Sequence, residues 1–154
     1  MTAVVIDSSI ALTWCFEDEA TAETDALFER VRDDGAIVPG LWHLELSNVL
    51  LQAEKRGRIS AGDVTTRLDL IAGLPISVDQ ETTLRAWREI LTMARAESLT
   101  TYDATYIELA ARRGVPLLTK DNDLAQAATR LGVGVLPPQK KKESPRSSRR
   151  RREH

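Results

Sequence analysis

The sequence predicts an α/β domain with a mostly parallel central sheet and helices on both faces. Short apolar, β-branched runs alternate with longer stretches of helical period, the pattern of parallel strands joined by crossover helices. Glycines stand just past several helical stretches, where helices stop. Aspartates follow two of the apolar runs, at the strand ends where such sheets bind ligands.

The elements follow in order. Residues 3–7 (AVVID) read as the first strand, and the very apolar stretch 8–15 as a short helix that Asp7, Ser8 or Ser9 can cap. A helix over 20–33 stops before Gly35, and 36–38 (AIV) is the second strand. Helices over 41–56 and 60–73 flank Gly57, and 76–78 (ISV) is the third strand. The helix over 81–97 carries Leu84, Trp87, Ile90, Leu91 and Ala94 at helical spacing, a core-facing stripe. A helix over 103–113 stops at Gly114 before the strand 115–118 (VPLL). The last helix, 121–131, stops at Gly132 before the strand 133–136 (VGVL). All five strands read as buried on both faces. Pro137-Pro138 closes the globular part, so residues 1–138 form one domain. Residues 139–154 have nothing apolar to bury and form a tail expected to be disordered.

The chain's 154 residues suffice for one domain with a real core. Its apolar runs are far short of the roughly 20 residues of a membrane span. The first residues lack the basic and long apolar parts of a secretory signal. Cys15 stands alone, so no internal disulfide forms; it reads as a small buried hydrophobe. These features fit a cytoplasmic protein. The net charge of −2 hides a split: residues 139–154 hold three Lys and five Arg against two Glu, or +6, which leaves −8 on the rest.

The informative residues are carboxylates. Wound at about 100° per residue, the helix after residue 40 gathers His43, Ser47 and Glu54 on a solvent face. Glu45 lands nearly opposite, among Leu41, Trp42 and Val49, with Asn48 and Gln52 nearby. A carboxylate turned toward a core is costly unless paired or bound to a metal; an arginine partner is the plain alternative. Asp103 shares a face with Tyr106, Ile107 and Ala110, while Thr105, Glu108 and Arg112 take the other side. Thr100 and Asp103 also fit a capping box. Asp7 and one of Asp121 and Asp123 could be helix caps, with Thr119 beside the latter pair. Such carboxylates, brought together, cannot all stay ionised without a cation. An all-oxygen set favours Mg²⁺ or Mn²⁺ over zinc. His43, on a solvent face, makes Ser-His-Asp chemistry a poor fit.

The segments VVIDSSIAL, LELSNVL, TTYDATYIELA, GVPLLTKDNDLAQAA and GVGVLP, in this order and spacing, resemble PIN-domain ribonucleases. The resemblance spans about residues 3–138 and is nearest to the VapC toxins of bacterial toxin–antitoxin pairs. It implies a PIN-like three-layer sandwich and a metal-dependent endoribonuclease. Asp7, Glu45, Asp103 and Asp121 would be the catalytic acidic quartet, holding Mg²⁺ or Mn²⁺ together with Asp123. Ser8, Ser9, Asn48, Thr119 and Lys120 would support the ligands or touch substrate. RNA, a cognate antitoxin and a second copy of the chain would be its partners. The basic tail is no part of the family's core pattern; RNA binding and inert solvation are both open for it. Trp14, Trp42 and Trp87 could line an antitoxin groove, with core packing the simpler reading, and the 10–16 helix could present an exposed patch. A catalytically silent RNA- or protein-binding module is the alternative function. An aspartyl-phosphate receiver is disfavoured because Asp7 has no adjacent acidic partner.

Overall fold

Residues 3–139 are described by a computed structural model; the disorder expected of the tail concerns residues 140–154, which lie outside the described residues. Five parallel strands form the sheet: β1 (Val4–Ile6), β2 (Ala36–Val38), β3 (Ile76–Val78), β4 (Leu117–Leu118) and β5 (Val135–Leu136). Their order is β3-β2-β1-β4-β5. The chain thus builds outward from β1 in one direction, then returns to its other side with β4. This reversal between β1 and β4 is a topological switch point, where open parallel sheets form a crevice beyond the strand ends.

Val4, Val5 and Ile6 are fully buried. Neighbouring strand residues point to opposite faces, so both faces of β1 are covered. Full burial does not extend to the edges: Ser77 and Val78 of β3 are exposed and β5 is half-buried. A strand with one neighbour and part of a helix over it cannot reach the enclosure of a central strand, so the expectation of double burial holds for β1, β2 and β4 alone.

The helices are α1 (Ser8–Thr13), α2 (Ala22–Asp34), α3 (Leu41–Lys55), α4 (Ala61–Ala72), α5 (Thr82–Arg85), α6 (Leu91–Glu97), α7 (Thr101–Arg113) and α8 (Asn122–Arg130). Gly35 ends α2 at φ +83°, and a Cβ there would come within 3.1 Å of the Pro75 carbonyl oxygen. Gly114 ends α7 in the left-handed region that a side chain disfavours.

Three expectations about helix faces change. A π-helical turn, Ala86–Ile90, joins α5 to α6. The wider turn shifts the phase of the stripe: Ile90 and Ala94 are buried, while Leu84 and Trp87 are 80% and 90% exposed. Trp14 and Trp42 are buried as expected. Second, α7 lies between β1 on one side and the π turn and α6 on the other. Every residue from Ala104 to Ala110 is therefore buried, including Thr105 and Glu108, which the period placed outward. Third, the 10–16 segment shows no apolar patch: Trp14 packs edge-on to Phe28 at 5.3 Å, and its indole N–H donates to the Thr24 carbonyl. Cys15 is buried, which pushes its thiol up to about 11.

Candidate active site

The switch point is furnished by the residues that end β1 and β4. Asp7 follows β1 and caps α1, accepting the Ile10 amide on Oδ1 at 3.1 Å. The same oxygen accepts the Ser9 hydroxyl at 2.7 Å. Oδ2 accepts the hydroxyl of Thr119, the residue after β4. Thr119 is fully buried and also accepts the Asp121 amide at 3.0 Å. Ser9 receives the Lys120 amide at 2.8 Å. These bonds tie the two central strand ends together around the Asp7 carboxylate.

Glu45 approaches from α3. The buried stripe of that helix is Trp42, Leu46, Leu50 and Ala53, and Glu45 lies at its edge, half-buried. Its Oε1 accepts the hydroxyl of Tyr106, a buried residue of α7, at 2.9 Å. The Ser8 hydroxyl makes a longer contact with Oε2, at 3.5 Å. Asp103 is half-buried in the first turn of α7, where its amide donates to the Thr100 cap at 3.1 Å. Asp121 caps α8, its Oδ1 accepting the amides of Asp123 and Leu124. The capping role foreseen for these residues is thus met at both Asp7 and Asp121.

Burial pushes the carboxyls of Asp7, Glu45 and Asp103 above their ordinary range. Neighbouring negative charge pushes the same way: Asp121 on Asp7, Asp103 and Asp7 on Glu45, and Asp121 on Asp103. These four pairings close a ring. The hydrogen bonds from Thr119, Ser9 and Tyr106 oppose the shifts by stabilising the ionised forms. No ion pair reaches any of the four carboxylates among the described residues, so the arginine partner considered for Glu45 is absent there. A cation would supply such compensation, and the all-oxygen chemistry of the set fits Mg²⁺ or Mn²⁺. The carboxylates are nevertheless spaced apart: among the described residues no three His, Cys, Asp or Glu side chains form a ready-made ligand cluster.

The remaining candidates are exposed and lie close in sequence to these carboxylates. Asp123 is exposed in the first turn of α8, Asn48 is exposed one turn beyond Glu45 on α3, and Lys120 is exposed between Thr119 and Asp121. A cleft of about 880 Å³ opens beside the ring, lined by Thr119, Lys120, Asp123, Gln126, Arg130 and Gln139 among others.

Sequence reasoning noted Tyr106 for its face and overlooked its hydroxyl. A tyrosine on an inward aliphatic face needs a partner for that group, which was the available signal. It also overlooked Asp79, which follows β3 as Asp7 follows β1. The Asp79 side chain is 1% exposed and meets Arg112 at 2.7 Å. Arg112 also pairs with Glu108 at 3.0 Å, and Arg85 reaches Glu108 at 3.3 Å. This network clamps the last turns of α7 to β3 and α5, away from the four-carboxylate ring, and the guanidinium of Arg112 holds the Asp79 carboxyl well below its usual range.

Comparison with known proteins agrees with this fold. The crystal structure of PAE2754 from Pyrobaculum aerophilum is similar in fold, with a TM-score of 0.65 and 21% identity over 87% of this chain and 90% of that one. No curated protein matches the chain. The PIN domain model matches residues 4–130, a span that contains all four ring carboxylates. The chain belongs to the PIN domain family, whose fold is generally that of a nuclease.

Proposed function

We propose that this chain is a divalent-metal-dependent endoribonuclease and the toxin of a toxin–antitoxin pair, acting in the cytoplasm as a homodimer that a cognate antitoxin restrains. The ring of Asp7, Glu45, Asp103 and Asp121 at the switch point carries the reading. Asp123, in the first turn of α8 and lining the cleft, would join them. These residues would hold Mg²⁺, or Mn²⁺ in its place. When bound, the ion supplies an activated water and charge stabilisation for phosphodiester hydrolysis. The chain's own residues prepare the site. Ser9 and Thr119 fix both oxygens of Asp7, and Tyr106 fixes one oxygen of Glu45. Thr100 sets the first turn of α7, from which Asp103 projects. Asn48 and Lys120 are exposed and would meet an incoming strand.

The spacing of the carboxylates supports the second reading, a silent module that binds RNA or protein without cutting it. Purified chain incubated with structured RNA separates the two. The nuclease reading expects cleavage with Mg²⁺ or Mn²⁺, none with EDTA, and at least roughly a hundredfold loss in Asp7→Asn and Glu45→Gln. Binding without cleavage by the unmodified chain favours the silent module. Equal cleavage by the variants sinks the proposed site.

A further inference from the structure

Of the seven aromatic side chains, five are buried or half-buried, while Trp87 and Tyr102 stand open to solvent, 90% and 65% exposed. The π turn accounts for Trp87, whose face it rotates outward. Packing does not account for Tyr102, which joins no part of the core among the described residues. Tyr102 stands directly before Asp103 in the first turn of α7. One turn further on is Tyr106, whose hydroxyl meets Glu45 at 2.9 Å. At about 100° per residue, Tyr102 projects about 40° to one side of Tyr106 and Asp103 about 60° to the other. Tyr102 is thus on the side of α7 that meets Glu45, beside Asp103, at the end of the helix that is open to water. Phosphate attraction is weak on such a body. The described residues carry 13 basic and 21 acidic side chains, a net −8, and eight of the thirteen cations pair with carboxylates. Of the five outside those pairs, Lys120 alone neighbours a ring carboxylate in the chain. An uncharged contact can still hold a strand there, and a base stacked on an aromatic face is one.

We propose that the Tyr102 ring stacks on an unpaired base of the substrate beside the acidic ring, so that the chain takes single-stranded RNA. The inference rests on the ribonuclease reading and names the substrate class and one residue that recognises it. A base inside a duplex already has a neighbour on each side and offers no free face, whereas an unpaired base does. Every base has such a face, so the contact is tolerant of sequence. It carries no charge, so it adds affinity without adding salt dependence. The phenol hydroxyl is not needed for it.

The test measures binding without turnover. The full-length Asp7→Asn chain is the parent, and Tyr102→Ala, Tyr102→Phe or Trp87→Ala is added to it. Circular dichroism establishes that all four are folded. Each is titrated with Mg²⁺ into a labelled oligoadenylate, and into a blunt RNA duplex, across a range of salt. Tyr102→Ala is expected to bind the single strand at least about fivefold more weakly, with the slope of log affinity against log salt unchanged. Tyr102→Phe should stay within about twofold of the parent, as should Trp87→Ala, which removes an equally open aromatic elsewhere. Duplex affinity should be the same in all four. Equal single-strand affinity in Tyr102→Ala and the parent overturns the inference, and so does a parent that binds no single strand. A Tyr102→Phe as weak as Tyr102→Ala also overturns it, since the hydroxyl and not the ring would then make the contact. Equal losses in Trp87→Ala or on the duplex do the same, since they mean general adhesion. Cleavage by the unmodified chain is scored separately. Cleavage with no effect of Tyr102→Ala sinks the stacking alone, and stacking without cleavage sinks the ribonuclease reading alone.

Discussion

Asp7 and Glu45 are held by different means, and the difference decides how each responds to substitution. Asp7 sits in a cage of local bonds from Ser9 and Ile10, closed by Thr119, 112 residues away just past β4. Glu45 depends on one strong neighbour, Tyr106, 61 residues further along. That hydrogen bond favours the ionised carboxyl, so its removal raises the Glu45 carboxyl further. Cleavage that needs ionised Glu45 should then lose its acid limb at a higher pH in Tyr106→Phe than in the unmodified chain, as a pH–rate profile will record. An unmoved profile means that the tyrosine is only packing. The inward tilt of Glu45 was legible because helical period is a local property. Its partner was not, because a contact across 61 residues leaves no mark in a single sequence.

Periodicity also fails at the level of elements where a second layer intervenes. The outward side of α7 was read correctly as a polar side and wrongly as a wet one: α6 and the π turn cover it, and Glu108 is buried against Arg85 and Arg112. Two substitutions measure the consequence. Asp79→Ala leaves Arg112 with less compensation in a buried network and should cost about 3 kcal/mol in urea unfolding. Trp87→Ala removes a large side chain that the rephased helix leaves in solvent and should cost less than about 0.5 kcal/mol. A large loss for Trp87 would restore the uninterrupted stripe that the sequence suggested.

Across the whole molecule, two populations of carboxyl act on stability in opposite directions. The raised carboxyls of the ring favour the protonated, folded protein. Their contribution is complete below the unfolded values, 3.8 for Asp and 4.5 for Glu, and is lost as pH rises through the higher folded values. Asp79 is lowered, so its contribution is present above 3.8 and is lost as pH falls. In EDTA, Asp103→Asn should therefore melt higher than the unmodified chain near pH 7, with the gap closing toward about pH 4. Excess Mg²⁺ should close the gap at neutral pH by stabilising the unmodified chain more. The fold itself was readable from the alternation of β-branched runs and helical stretches, since each is a local signal. The pairing order of the strands, which sets β1 beside β4 and makes the crevice, emerged only in three dimensions.

Calorimetric titration of Mn²⁺ near neutral pH tests most directly whether the four acidic side chains act as one cation site. Binding should weaken by at least roughly tenfold in each of Asp7→Asn, Glu45→Gln, Asp103→Asn and Asp121→Asn, and should persist in Asp33→Asn on the exposed end of α2. Undiminished binding in all four ring variants, or none in the unmodified chain, would contradict the account.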